Sequence, residues 1–132
     1  IVEVVDHVGK REASSRMQTS DVLLLISSPD LERYLPGKLF DYIAAHRPIL
    51  VFGSRGEASA LIERLGTGVF CPSGSAAALR EAVMRLRELD ISQNGDMLDS
   101  WLQEHTREVL AARAFSIFDS LISPGIETRI LD

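Results

Sequence analysis

The chain has 132 residues, 45% apolar and 25% charged, the balance of one folded domain with a core of its own. Its 14 Lys and Arg against 19 Asp and Glu give a net charge of -5, which argues against a general nucleic-acid binder and against docking on anionic lipid, while leaving room for a local basic patch. The longest apolar run, Val22 to Ile26, falls far short of the roughly 20 residues that cross a bilayer, so no transmembrane segment is expected. A single cysteine, Cys71, excludes an internal disulfide and a cysteine-cluster metal site. His7, His46 and His105 lack ligand spacing to acidic partners, so no metal is expected. The default setting is reducing and cytoplasmic, with a peripheral membrane position open to a longer protein. The chain opens on Ile-Val-Glu-Val-Val without an initiator Met and reads as a piece of such a longer protein.

In chain order, Val2 to Val5 reads as a strand and Ser14 to Thr19 as a short helix. Val22 to Ile26 is apolar at every position, the pattern of a strand covered on both faces. Ser27 to Asp30 is a loop. Pro36-Gly37 precedes a helix over Lys38 to Ala45, which Arg47-Pro48 ends, because proline disfavours helix before it. Ile49 to Phe52 is a strand and Gly53 to Gly56 a glycine-rich turn. Ala58 to Leu65 is a helix with Gly66 at its C-cap. Gly68 to Cys71 is a fourth strand. Ser75 is an N-cap for a helix over Ala76 to Leu89, whose Leu79, Ala82, Val83 and Leu86 fall on one face. Asp90 to Gly95 is a polar linker, and Met97 to Ile122 is mostly helical and long, with room for a break, and with Trp101, Val109, Phe115 and Phe118 as packing residues. Residues 123–132 read as a tail after a single domain over 1–122.

Strands alternating with helices predict an α/β fold, a Rossmann-like parallel sheet of about four strands with helices on both faces. In such sheets ligands bind beyond the carboxyl ends of the strands. The stretch Tyr34-Leu35-Pro36-Gly37-Lys38-Leu39-Phe40-Asp41-Tyr42 places a glycine and a lysine at a helix start, where free N–H groups and a partial positive charge suit a phosphate. Asp41, one turn on, is placed to accept hydrogen bonds from ribose hydroxyls. The same residues also describe an ordinary loop-to-helix junction with solvated charges.

The order of these residues resembles the donor-binding helix of GT-B-fold glycosyltransferases, in particular the large retaining family-four group. Members often read Pro-Gly-Lys-Leu-Phe-Glu-Tyr, then a short helix, Gly-Arg or Gly-Lys, proline and an apolar strand. Here Asp41 stands for the Glu and His46 for the Gly. Val8-Gly9, Asp21-Val22, Leu61-Ile62-Glu63, Gly68 and the Ser75 helix look like the flanking segments, so the likeness runs over about residues 1 to 120. It implies the donor-binding half of an enzyme that moves a sugar from a nucleoside diphosphate to an acceptor, with the nucleotide sugar as substrate and no cofactor. It implies donor-binding roles for Gly9, Lys10 and Arg11 near the base, for the backbone of Gly37, Lys38 and Leu39 at the diphosphate, and for Asp41 at the ribose. The family's second carboxylate falls on Arg33. Glu32 is beside it and is the one catalytic candidate, out of register. The family's acceptor domain, glycine-rich turn and basic pair are not in this sequence, so activity by this chain alone is not expected.

A different class of function also fits. A Rossmann-like interaction or regulatory module keeps the fold without catalysis, and the Arg33 and His46 departures favour it. Apart from either reading, an apolar stripe on the last helix that packs on a missing domain would here be an exposed patch and a surface for a homodimer.

Overall fold

The computed structural model describes residues 2–122. Its centre is the set of apolar runs whose β-branched and leucine side chains fit a pleated, covered surface. Leu23–Ser27 (β1), Ile49–Gly53 (β2) and Gly68–Pro72 (β3) pair in parallel, in the order β1-β2-β3. Leu25 lies beside Val51, and Val51 beside Phe70. The Leu23 and Ile49 amides extend the ladder by donating to the carbonyls of Pro48 and Thr67, at 2.8 and 2.9 Å.

Parallel neighbours need crossovers, and helices supply them. Gly37–Ala44 (α2) joins β1 to β2, and Glu57–Arg64 (α3) joins β2 to β3. Together with Gly95–Glu104 (α5), they cover one face of the sheet. Leu25, Ile49, Val51, Leu39, Ile43, Ile62 and Leu98 meet there in the main core. Full burial of each such side chain contributes about 1.5–3 kcal/mol. Ala76–Glu88 (α4) covers the other face, where Ala82 and Leu86 close over Leu50, Val69 and Cys71. Ser75 caps α4 as its sequence predicts, its hydroxyl accepting the Ala78 amide at 3.2 Å. Lys10–Thr19 (α1) precedes β1, and Arg107–Ile122 (α6) follows α5.

The fold class is as the alternation predicts, with helices on both faces of a parallel sheet. Three expectations need correction. The sheet has three strands, not four, because Val2 to Val5 has no strand partner and its valines are exposed. The Val22 to Ile26 run is covered on one face only. Leu23 and Leu25 are buried, whereas Leu24 and Ile26 are 51% and 70% exposed. The cause is position, since β1 is an edge strand and α4 packs on β2 and β3. The polar linker at Asp90 to Gly95 holds a 3-10 turn, Ile91–Asn94, with Ile91 buried. The break allowed for in the long C-terminal helix is there, and two helices meet at His105 and Thr106. The tail at 123–132 lies outside the described residues. Among those described, no helix is long and apolar enough to cross a membrane.

Two glycines hold the loops that follow β1 and β2 together. Gly53 takes φ +126, and a Cβ there would collide with the Ser27 carbonyl oxygen, the group that accepts the Ser54 amide at 3.1 Å. Gly56 lies against the Glu32 backbone just as closely, and the next amide, Glu57, donates to the Glu32 carbonyl at 2.7 Å. Only glycine leaves room for both approaches.

Candidate functional site

Helical periodicity sorts the residues of α2. Leu39 and Ile43, four apart, are fully buried on the core side. Gly37, Phe40 and Asp41 share another face and line a cleft of about 690 Å³. Across it stand Lys10 of α1 and the corner between α5 and α6, with His105, Thr106, Arg107 and Leu110. Lys10, Gly37 and Arg107 are each the first residue of a helix. Three helices therefore begin at one cleft, and each brings unpaired N–H groups and a partial positive charge. A second depression of about 240 Å³ separates α1 from α2, and Lys10 and Asp41 line it too. These two residues stand at the junction of the cavities.

The charged groups around the cleft are available to a ligand. Among the described residues, no carboxylate lies within 4.0 Å of the Lys10, Lys38 or Arg107 cation, and Asp41 has no cationic partner. In the first turn of α2 the Leu39 amide is already used, donating to the Pro36 carbonyl at 2.9 Å. The Gly37 and Lys38 amides donate to no protein acceptor among the described residues.

The sequence-predicted residues thus divide. The structure brings Lys10, Gly37 and Asp41 together around the cleft. Gly9 is the N-cap of α1, its carbonyl accepting the Ala13 amide at 3.0 Å. Lys10 and Arg11 form the first turn of α1 rather than a loop, since that helix starts four residues before the predicted Ser14. Arg11 is exposed and is not among the cleft's lining residues. Lys38 is exposed and outside the lining as well, because it lies about 100° around the helix from Gly37. Leu39 belongs to the core by its side chain and to Pro36 by its amide. Glu32 is exposed in the loop after β1, its backbone engaged by Glu57, and does not line the cleft.

Other candidates resolve into structure. Arg55 makes a two-pronged pair with Glu63, at 2.8 and 3.2 Å, and lies 4.7 Å from the centre of the Phe70 ring. The glycine-rich turn after β2 is therefore tied to α3 and β3. His46 ends α2 with φ +51, a left-handed conformation that costs a non-glycine residue about 1–2 kcal/mol. Its Nε2 sits 3.1 Å from the Asp99 carboxylate on α5, which holds the two helices together. Burial pushes the Tyr42 phenol up from its ordinary pKa, and its hydroxyl donates to the Leu24 carbonyl at 3.4 Å. Among the described residues no His, Cys, Asp and Glu cluster could hold a metal ion.

Sequence reasoning missed the α5–α6 corner. Two signals were present. Thr106 is an N-cap residue type, and its hydroxyl accepts the Val109 amide at 3.3 Å. Trp101 and His105 are four apart on a helix, the spacing that stacks neighbouring rings. Their ring centres are 4.1 Å apart, and Phe40 stacks on Trp101 from α2 at 5.6 Å.

No protein-family profile matches the chain, and no solved structure matches it. Over 83 residues it is 32% identical to a Pseudomonas aeruginosa protein named "Probable glycosyltransferase WbjE". The aligned part is 62% of this chain and 21% of that relative, so the chain spans about a fifth of the relative's length. The likeness read from the Pro36 to Asp41 stretch and the similarity to this relative meet on one coarse statement: the chain is similar in sequence to a protein named a probable glycosyltransferase.

Proposed function

We propose that this chain carries the donor side of a glycosyltransferase, one that moves a sugar from a nucleoside diphosphate to an acceptor. The observation that supports this most is the convergence of Lys10, Gly37, Asp41 and Arg107 on one cleft. A nucleoside diphosphate needs cations and N–H donors for its phosphates and an acceptor for its ribose hydroxyls. Lys10 and Arg107 are the cations, the Gly37 and Lys38 amides are donors, and Asp41 is the acceptor. When the sugar–phosphate bond breaks, negative charge grows on the departing diphosphate. Fixed dipoles and cations aimed at that charge stabilise it without moving. The chain spans about a fifth of the relative's length, and the reading is confined to the donor side.

Calorimetric titration with uridine and guanosine diphosphates tests the reading. Weak binding is expected, because the cleft is open and its charges are solvated. Asp41→Ala should reduce affinity about tenfold, the low end of what a hydrogen bond to a charged group contributes. Lys10→Ala should reduce it about fivefold at low salt, and less at high salt, where the Debye length shrinks. Lys38→Ala should change little, since Lys38 is outside the cleft. If neither Asp41 nor Lys10 matters, or if NMR shifts gather on Phe115 to Ile122, the donor reading fails. The exposed apolar side chains of α6 would then favour the interaction module.

A further inference from the structure

One wall of the cleft is aromatic, and nothing in the charge pattern explains it. Phe40, Trp101 and His105 form a continuous stack, with ring planes inclined by only 20° and 19° at its two contacts. His105 is the last ring of that stack, half-buried and part of the cleft lining. Its Nδ1 lies 2.7 Å from the Trp101 carbonyl oxygen, a contact that uses Nδ1–H as donor and fixes the ring's orientation. The imidazole stacks on the indole, and His105 lines the cleft. The next residues hold the corner in place. The Thr106 carbonyl accepts the Leu110 amide at 3.0 Å, and its hydroxyl accepts Val109. Arg107 follows, exposed and without a carboxylate within reach among the described residues.

A fixed, flat ring at the end of a stack is a platform for another flat ring. It stands in the same cleft as a carboxylate and two free cations, within a volume in the range of small-ligand sites. We propose that the α5–α6 corner is the nucleobase and phosphate wall of the site, with the base stacked on His105 and Arg107 on a phosphate oxygen. This rests on the donor reading above and moves the base from the Gly9 to Arg11 segment to His105.

Trp101 is the chain's one tryptophan and touches the platform ring, so its emission reports on the base. The 132-residue chain is titrated with uridine diphosphate, guanosine diphosphate and inorganic pyrophosphate, followed by calorimetry and by Trp101 emission. Both nucleotides should change the emission, and pyrophosphate should change it much less. His105→Ala should weaken the nucleotides about fivefold or more, the lower end of one base–aromatic stack, and leave pyrophosphate unchanged. His105→Phe should restore most of the loss. Arg107→Ala, on the surface and safe for the fold, should weaken nucleotides and pyrophosphate alike. If His105→Ala leaves nucleotide affinity intact while Asp41→Ala and Lys10→Ala reduce it, the donor reading stands and this inference falls. Nucleotide binding with no change in Trp101 emission would overturn the stacked base in the same way. If no nucleotide binds at millimolar concentration, both fall.

Discussion

Leu39→Ala should lower the unfolding free energy by about 2–5 kcal/mol, the cost of deleting a buried leucine and leaving a cavity. Leu39 is 0% exposed and sits where α2 meets the main core, together with Ile43, Ile62 and Leu98. A domain of this size is stable by about 5–15 kcal/mol, so the loss is a large share of the total. The neighbourhood has little freedom to collapse, because β2 is central and α2 packs against α5. Denaturant unfolding checks the value. The midpoint should fall with an unchanged slope if only stability has moved. Nucleotide affinity should fall with it, since Gly37, Phe40 and Asp41 ride on the same helix. An effect under about 0.5 kcal/mol would mean that α2 is not packed as described, because that is the range of surface substitutions.

The second large effect is expected at Gly53. Gly53→Ala should cost about 1–3 kcal/mol for the backbone conformation and a similar amount for crowding against the Ser27 carbonyl. Its φ of +126 and the clash with a backbone atom make relief by side-chain movement impossible. The Ser54 amide would lose its acceptor as the two loops separate. The same substitution at Gly74, which also has a positive φ but open space around it, isolates the conformational part. Thermal unfolding of both variants separates the two contributions. Equal destabilisation at the two positions would refute the close approach at Ser27.

The strands of the sheet were legible because a short, wholly apolar run between turn residues has few other uses. Pattern alone did not say whether a run finds a neighbour. Val2 to Val5 reads as well as Gly68 to Cys71, but a strand is a pairing, and only the latter has one. The exposure of Leu24 and Ile26 was hidden for the same reason, since an all-apolar run does not record which helix lies over it. In the candidate site, Asp41 and Gly37 were legible from a local motif and the physics of a helix start. The Lys38 side chain falls outside the cleft lining, because adjacency in sequence is not adjacency on a helix face. Arg107 and His105 come from about 65 residues further along the chain. Their meeting with Phe40 is set by how α5 packs beside α2, which no local pattern encodes. The capping threonine and the four-residue ring spacing announce a corner and a stack, but not the cleft they face.

Cys71 carries a last consequence. It is the chain's one thiol, fully buried on β3 beneath α4. A thiol reagent reaches it only when α4 lifts or the domain opens, so the labelling rate is a clock for that opening. The candidate cleft is lined from α1, α2 and the α5–α6 corner, and α4 contributes nothing to it. A ligand there binds without touching the elements that guard the thiol. Protection of Cys71 by nucleotide therefore measures how far the two faces of the sheet open as one unit, and the absence of protection marks α4 as a separately opening flap.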